Sequence, residues 1–259
     1  MIIGNKEFKN YTYVLAIVNL TPDSFWKNSR NDEYTVLKTV EKAITDGASV
    51  IDLGAQSTRP GYSEVSADCE ISRLERPLQL IKKNFDIPVS VDTYFYECAK
   101  ASLEMGADMI NDIWGLTHDS GMAELIAKHK ASVCIMHNAQ KTLEGDIWKQ
   151  ITAFLQKSVS LALDAGIGRN KICLDGGIGF AKTKEQNHEL LNGYNRLAAL
   201  GYPLLLGTSR KSMFGGNVED RLLQTVESTR LAAKYGVTFV RVHDVKENFE
   251  AIREVYGRN

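Results

Sequence analysis

Carboxylate, amide and basic side chains recur in this 259-residue chain at the points where short apolar segments end. The residues in question are Asn19, Asp92, Asn111, Asp175, Lys211, Arg241 and His243. An ionised aspartate accepts two parallel N–H donors, which is the geometry that a guanidine-like edge presents. Asp92, Asn111 and Asp175 therefore suit a flat, amino-substituted heterocycle, and Lys211 can meet a ring carbonyl or ring nitrogen of the same ligand.

A second pattern predicts an anion pocket beside that ring. Arg241 and His243 are two positions apart on one apolar segment, so both side chains point the same way if that segment is a strand. Arg241 at a strand end, with Asn19 nearby, can bind a phosphate-bearing group. Each residue alone has a plainer explanation, since Asp or Asn after a strand is commonly a helix N-cap. The prediction of a site therefore depends on their convergence.

Eight nearly continuous apolar segments carry these residues, as strands covered on both faces should be. They span residues 13–19, 49–54, 88–92, 109–112, 132–137, 171–176, 203–207 and 239–243. Helical patterns lie between and after them, at 34–46, 69–84, 93–105, 121–130, 147–165, 184–200, 219–235 and 246–256. This alternation predicts an α/β fold, a (β/α)8 TIM barrel that forms a single domain over residues 1–259, with its site at the carboxyl ends of the strands. A doubly wound open sheet is the alternative, and the lack of a G-x-G-x-x-G motif after the first segment disfavours it.

Composition excludes several classes of partner. The formal net charge of −1 creates no field that would attract nucleic acid or an anionic membrane. No apolar run approaches the length of a membrane span, and the first residues are too polar for a signal peptide, so we expect a cytoplasmic protein. The four cysteines, Cys69, Cys98, Cys134 and Cys173, show no metal-binding spacing, and we expect buried or incidental thiols.

Seven motifs, each at the end of an expected strand, together resemble the dihydropteroate synthase family. They are NLTPDSF at 19–25, STRPG at 57–61, DTY at 92–94, GADMIND at 106–112, DGGIGF at 175–180, SRK at 209–211 and RVHDV at 241–245. They occur in the order of the family and cover nearly the whole chain. Any one of them is weak evidence, whereas seven in register are specific.

The resemblance implies a transferase of folate synthesis that joins p-aminobenzoate to 6-hydroxymethyl-7,8-dihydropterin diphosphate, assisted by Mg²⁺. Carried over by motif, Asn19 would contact the magnesium or the diphosphate. The pterin would be held by Asp92, Asn111, Asp175 and Lys211, with Met136 against its face. The diphosphate would be contacted by Thr58, Arg241 and His243. The p-aminobenzoate subsite would be formed by Phe25, Arg59, Pro60, Phe180 and Ser212. The residues expected to act in the reaction itself are Asp92, Asp175, Lys211, Arg241 and His243.

Several positions depart from the commonest pattern of the family. Lys27 stands where a loop acid is frequent, Trp26 precedes it, and Gln56 replaces a frequent Glu. Gly176 stands where proline is usual, which removes a rigid turn residue. Most of these changes lie in two loops, at 20–32 and 55–68, that we expect to be mobile and to close over the second substrate.

The favoured interpretation is a divergent but active synthase. A pterin-binding paralogue with altered or lost p-aminobenzoate activity remains open, as do a non-catalytic role and a barrel that transfers a methyl group from methyltetrahydrofolate. The last would not need the SRK or RVH residues. The resemblance also implies a sulfonamide target and a homodimer formed through late helices, where Leu222, Val226, Leu231 and Ala232 could serve as interface or as core. Sulfonamide sensitivity stays open, because it depends on the altered loops.

Overall fold

The computed structural model describes residues 1–20, 29–56 and 65–257, with the backbone alone at 29–33 and 219. Within these residues, eight parallel strands close into a barrel in sequence order. The strands are β1 Tyr13–Asn19, β2 Ala48–Gly54, β3 Val89–Asp92, β4 Met109–Asp112, β5 Ser132–Met136, β6 Ile172–Asp175, β7 Leu204–Leu206 and β8 Phe239–Val242. The predicted TIM barrel is confirmed, and each strand lies within two residues of its expected bounds. That the whole chain forms a single domain stays a prediction.

Helices follow the strands and cover the outside of the barrel. They are α1 Ser29–Thr45, α2 Ala67–Asn84, α3 Tyr96–Glu104, α4 Met122–Lys128, α5 Ile147–Asp164, α6 Lys184–Asn192, α7 Leu222–Lys234 and α8 Val245–Val255. Their apolar faces pack on the outward side chains of the strands, as in the contact of Leu74 and Leu78 with the main core. Among the described residues, no helix is long and apolar enough to cross a membrane.

The helix expected over 184–200 is two elements instead. It ends at Asn192 and continues after Gly193 as a 3-10 helix, Tyr194–Leu200. Gly193 lies against Trp148, where the carbon of any side chain would approach the indole ring to 2.7 Å. The break turns Tyr194 inward, where it is fully buried. Helical periodicity does not reveal such a break, because the apolar positions continue through it.

The interior of the barrel is built in layers by strand alternation. The lower layer is apolar and contains Leu15, Val50, Met109, Cys134, Cys173, Leu205 and Phe239. A short antiparallel hairpin, Ile2–Ile3 with Lys6–Glu7, covers this end of the barrel and contributes Ile3 and Phe8 to the layer. Cys98, Cys134 and Cys173 are free and buried, in agreement with the expected role of the thiols as packing groups, and Cys69 is free and partly exposed.

Two residues further along six of the strands, the inward positions differ from this apolar layer. They are Asp52, Asn111, Met136, Asp175, Gly207 and Arg241, whereas the corresponding residue of β1 is Ile17. Strand register brings them to a common level, since Asp92 pairs with Asn111 and Met136 pairs with Asp175. The strands thus deliver polar groups above an apolar floor, at the carboxyl end of the barrel.

Candidate functional site

Arg241 forms the centre of a buried ion cluster above the apolar floor. Its Nε donates to Asp52 Oδ2 at 2.7 Å and its Nη2 donates to Asp92 Oδ2 at 2.6 Å. The neighbouring residues Val240 and Val242 pack outward beneath the helices, as alternation on a strand requires. Asp52 is fully buried, and its Oδ1 has no hydrogen-bond partner among the described residues. Arg241 therefore holds two carboxylates from neighbouring strands at one side of the pocket.

Asp175 faces the pocket from the opposite side with one oxygen anchored. Its Oδ1 accepts the backbone N–H of Gly177 at 2.7 Å and the hydroxyl of Tyr194 at 3.0 Å. Its Oδ2 lies near Gly207, beside Lys211. A methyl group added to Gly207 would lie 3.8 Å from Asp175 Oδ2, 3.9 Å from Arg241 Cβ and 4.0 Å from Lys211 Nζ. Gly207 thus leaves open the space on which three charged residues converge.

The amide of Asn111 is aligned with these groups at the end of β4. Asn111 is 4% exposed. Its amide can both donate to and accept from a ligand in the pocket. Met136, Tyr94 and Ile113 form a small apolar cluster beside it, and Phe180 packs on its edge. The pocket therefore combines hydrogen-bonding groups with an apolar wall, as a site for a flat ring should.

Asn19, Ser209 and His243 form a second polar group at the rim. Asn19 Nδ2 is 3.4 Å from His243 Nε2, and Ser209 Oγ is 2.9 Å from His243 Nδ1. Ser209 Oγ also accepts the backbone N–H of His243 at 3.1 Å. The predicted inward direction of Arg241 and His243 agrees with these contacts.

Asn19 could hold a magnesium ion, although not by itself. Its Nδ2 is oriented toward His243, which leaves the carbonyl oxygen available for a cation. Within the described ranges, no group of three or more His, Cys, Asp or Glu residues could form a metal centre. Mg²⁺ commonly takes one protein oxygen together with substrate phosphate oxygens and waters. The residues present thus fit a magnesium ion that arrives with a phosphate-bearing substrate.

Burial perturbs the ionisable groups of the pocket. Burial raises the pKa of Asp92 to about 7, although Arg241 opposes this shift. The pKa of Asp175 is also raised by burial, with Lys211 opposing. Burial lowers the pKa of Lys211 to about 8. The pKa of Arg241 is raised by Asp52 and Asp92, although burial opposes, so the guanidinium stays charged. Such clustered shifts are typical of functional sites.

The remaining predicted site residues belong to the p-aminobenzoate and diphosphate subsites. Four of them, Phe25, Thr58, Arg59 and Pro60, lie outside the described residues. Trp26 and Lys27 also lie outside them, as do most residues of the two loops that we expect to be mobile. Ser212 is exposed and begins a 3-10 helix just after Lys211. Gln56 is described: its Oε1 accepts the N–H of Val65 at 2.7 Å, and its Nε2 donates to Tyr94 Oη at 3.1 Å. Gln56 thus connects Val65, at the far end of the second loop, to Tyr94, which follows β3.

Two charged residues within the motifs have structural roles. Arg210 makes a two-pronged ion pair with Asp244, at 2.9 and 2.6 Å. Asp112 accepts the backbone N–H groups of Trp114 and Leu116, at 2.8 and 2.9 Å. These side chains order the loops that carry Lys211 and the end of β4.

Sequence reasoning missed four residues of the site: Asp52, Tyr194, Gly207 and Lys182. A signal existed for Asp52, because an acid inside the apolar segment 49–54 needs a buried partner. Tyr194 offered no signal, since it reads as one more apolar position of a helix. Gly207 could be read only as a strand end.

Comparison with known proteins agrees with the geometry. A family model described as pterin binding enzyme matches residues 15–243. The chain is 46% identical to the dihydropteroate synthase of Clostridium beijerinckii, over 98% of this chain and 97% of that protein.

Solved structures give the same result. A dihydropteroate synthase from Clostridium difficile, crystallised in the presence of pteroic acid, superposes with a TM-score of 0.94 at 42% identity, covering 97% of this chain and 98% of that one. The Xanthomonas albilineans dihydropteroate synthase with 4-aminobenzoic acid gives a TM-score of 0.90 at 31% identity, covering 96% and 93% of the two chains.

Proposed function

The chain belongs to the dihydropteroate synthase family, and we propose that it condenses 6-hydroxymethyl-7,8-dihydropterin diphosphate with p-aminobenzoate to give dihydropteroate and pyrophosphate. The observation that carries this proposal is the convergence of Asp175, Lys211 and Arg241 around Gly207. A carboxylate, an ammonium and a guanidinium within reach of one open space can address the polar edge and ring nitrogens of a pterin. The family relationship supplies the substrate class.

The pterin takes the deep part of the pocket. Asp175 Oδ2, which accepts no hydrogen bond from the described residues, and the amide of Asn111 face N–H groups of the ring edge. Asp92 and Lys211 contact the remaining ring nitrogens and carbonyl, and Met136 packs on one face. Asp175 is held by Gly177 and Tyr194, so its orientation is set before the ligand binds.

In the reaction, the bond between the pterin methylene carbon and the diphosphate oxygen breaks, and pyrophosphate leaves with the bonding electron pair. The amine of p-aminobenzoate forms the new C–N bond and then releases a proton. Positive charge develops on the pterin methylene, and the carboxylates of Asp92 and Asp175 stabilise it. Arg241 and His243, with Thr58, stabilise the negative charge of the departing group. Magnesium, when bound through Asn19 and the diphosphate, would supply further charge neutralisation.

The second substrate is placed nearer the rim. Phe180 and Lys211 adjoin each other, with the Lys211 Nζ 4.8 Å from the Phe180 ring centroid. We place the p-aminobenzoate subsite at this rim, where Phe25, Arg59, Pro60 and Ser212 would complete it. The structure of the Xanthomonas relative with 4-aminobenzoic acid supports p-aminobenzoate as the second substrate. The methyl-transfer alternative is disfavoured, because it has no use for the Asn19–His243–Ser209 group.

The decisive experiment incubates the purified protein with the pterin diphosphate, p-aminobenzoate and Mg²⁺, and measures dihydropteroate by chromatography. Product formation that requires both substrates supports the proposal. Binding of the pterin diphosphate without product would instead identify a paralogue with an altered second substrate. Failure of both would show that the pocket has been misassigned.

We also propose a cytoplasmic homodimer that contacts its partner through α7. Val226 and Ala232 belong to the core of the single chain, whereas Leu223 on the same helix is 74% exposed. Sedimentation equilibrium tests this: Leu223→Asp should shift the protein to monomer if α7 forms the interface.

A further inference from the structure

One lysine at the rim has every N–H of its ammonium group accounted for. Lys182 Nζ lies 2.9 Å from the carbonyl oxygen of Gly177, 3.0 Å from that of Phe180 and 3.0 Å from His137 Nδ1. An ammonium group has three donors and no acceptor. The three acceptors around Lys182 therefore use all its donors, and none remains for a substrate.

His137 is suited to accept this bond. It follows β5, its backbone N–H donates to the carbonyl of Asp175 at 2.9 Å, and its ring lies against the edge of Phe154 at 5.0 Å between centroids. Burial and the charge of Lys182 lower the pKa of His137 to about 3, so the ring is neutral at physiological pH. A neutral ring that accepts at Nδ1 carries its proton on Nε2.

Lys211 differs from Lys182 in a way that separates their roles. Lys211 Nζ donates to the carbonyl of Ile178 in the same loop, and it borders the open space at Gly207. Among the described residues, Lys211 Nζ donates to the carbonyl of Ile178 alone, so two N–H groups remain for a ligand. Both lysines thus donate hydrogen bonds to backbone carbonyls of one loop, but of the two only Lys211 retains donors for the pocket.

The loop from Gly176 to Thr183 needs such a restraint. Gly177, Gly179 and Ala181 have φ values of +71°, +85° and +48°. For Ala181 the left-handed conformation costs about 1 kcal/mol. A side chain on Gly177 would lie 1.9 Å from the carbonyl oxygen of His137, so the loop passes directly against the end of β5. Contacts that hold this path therefore decide where Phe180 lies.

Burial and hydrogen bonding act in opposite directions on the charge of Lys182. Burial lowers the pKa of Lys182 to about 7, with the charge of Lys211 adding to the shift and that of Asp175 opposing it. The carbonyls of Gly177 and Phe180 favour the ammonium form instead, because they accept its hydrogen bonds. Thr183, the next residue, caps α6 by accepting the N–H of Gln186 at 3.2 Å, so the far end of the loop is also fixed.

We propose that Lys182 is a positioning residue for p-aminobenzoate, acting through the loop that carries Phe180. This inference rests on the proposed function. Lys182 joins β5 to the loop after β6 and fixes the Phe180 ring against Lys211, at the rim where the second substrate is to bind. Asp175 is also held by the hydroxyl of Tyr194, which lies outside this loop, so the pterin half of the pocket depends on Lys182 less.

The test compares Lys182→Met with Lys184→Met, a matched control two residues further on whose side chain is exposed. Steady-state kinetics should show kcat/KM for p-aminobenzoate reduced about 10- to 100-fold in Lys182→Met, because a displaced loop misplaces the second substrate. The Kd for 6-hydroxymethylpterin, measured by calorimetry, should change less than about threefold. Lys184→Met should behave as wild type.

Two further variants distinguish a positioning role of Lys182 from a general loss of structure. Lys182→Arg keeps several donors and should recover most of the lost kcat/KM. His137→Leu removes one of the three acceptors of Lys182. It should reduce kcat/KM for p-aminobenzoate by a smaller factor, again with little change in the Kd for 6-hydroxymethylpterin. This variant tests the proposal even if Lys182→Met folds poorly.

A folded Lys182→Met with kinetics within twofold of wild type would overturn the positioning role, as would equal losses in pterin binding and in p-aminobenzoate use. Wild-type protein without any product would refute the proposed function itself, and the positioning role for that reaction with it.

Discussion

The guanidinium of Arg241 donates a 2.6 Å hydrogen bond to Asp92 while its other edge holds Asp52 at 2.7 Å. This arrangement links three strands, β2, β3 and β8, across the barrel. Asp92 keeps its second oxygen for a ligand, and Arg241 remains beside it as a cation. The same pair can therefore orient the pterin ring and balance the charge of the diphosphate.

Asp92→Ala should weaken binding of 6-hydroxymethylpterin by about 30-fold, since a hydrogen bond to a charged group contributes about 2 kcal/mol. The fold should survive, because Asp52 still pairs with Arg241. Titration calorimetry measures the affinity. Asp86→Ala, at an exposed surface ion pair, is the control and should leave binding unchanged. Equal affinities for wild type and Asp92→Ala would show that the pterin does not use this carboxylate.

Pterin affinity should rise with pH. The pKa of Asp92 is about 7, so the ionised fraction, which alone accepts two N–H bonds, increases through neutrality. Between pH 6 and pH 7.5 that fraction grows about eightfold, and Kd for 6-hydroxymethylpterin should fall accordingly. The pterin without phosphate is the correct probe, because phosphate groups titrate in the same range. Asp92→Asn should flatten the profile, and an unchanged slope in that variant would assign the titration to another group such as Asp175.

Asp52→Ala should destabilise the fold more than a surface change does. It removes a fully buried partner of Arg241 and leaves that guanidinium, which is largely buried, with Asp92 alone. We expect the free energy of unfolding to drop by about 3 kcal/mol, measured by urea denaturation. Glu104→Gln breaks an exposed pair with Lys100 and should cost less than about 0.5 kcal/mol. A similar small loss in both variants would mean that Arg241 finds another partner.

The strand bounds and the rim residues could be predicted from sequence because parallel barrel strands are apolar on both faces and end in polar residues. The segment 109–112, for example, is recovered without change as β4. Asp92, Asn111 and Asp175 were identified because each interrupts an apolar run at its end, which local sequence displays directly.

Tertiary contacts could not be predicted in the same way. Asp52 and Arg241 are 189 positions apart, and their pairing depends on barrel closure between β8 and β1. Tyr194 reaches Asp175 only because α6 ends at Asn192, and the sequence pattern continues past that point. Lys182 could not be given a role from sequence, because its three acceptors come from the loop geometry rather than from neighbouring residue types.

Gly207→Ala tests the shape of the pocket rather than its charge. The added methyl would make ordinary contacts of 3.8 to 4.0 Å with Asp175, Arg241 and Lys211, so the protein should fold. The methyl would nonetheless occupy the space where these groups converge, and pterin affinity should fall at least about tenfold. Thermal unfolding measures the stability of the variant, and titration calorimetry on the same sample measures its pterin affinity. Retained affinity would place the ring elsewhere along the rim.

The group formed by Asn19, Ser209 and His243 should bind the diphosphate and contribute little to binding of the pterin ring. His243→Ala removes a side chain that contacts Asn19 and Ser209 and lies apart from the Asp175–Lys211 side of the pocket. We expect the variant to bind 6-hydroxymethylpterin with wild-type affinity but to bind the pterin diphosphate about tenfold more weakly in the presence of Mg²⁺. The magnesium concentration needed for half-maximal turnover should also rise, because Asn19 loses the partner that orients it. A parallel loss for both ligands would contradict the division of the site and indicate that His243 supports the whole pocket through Ser209.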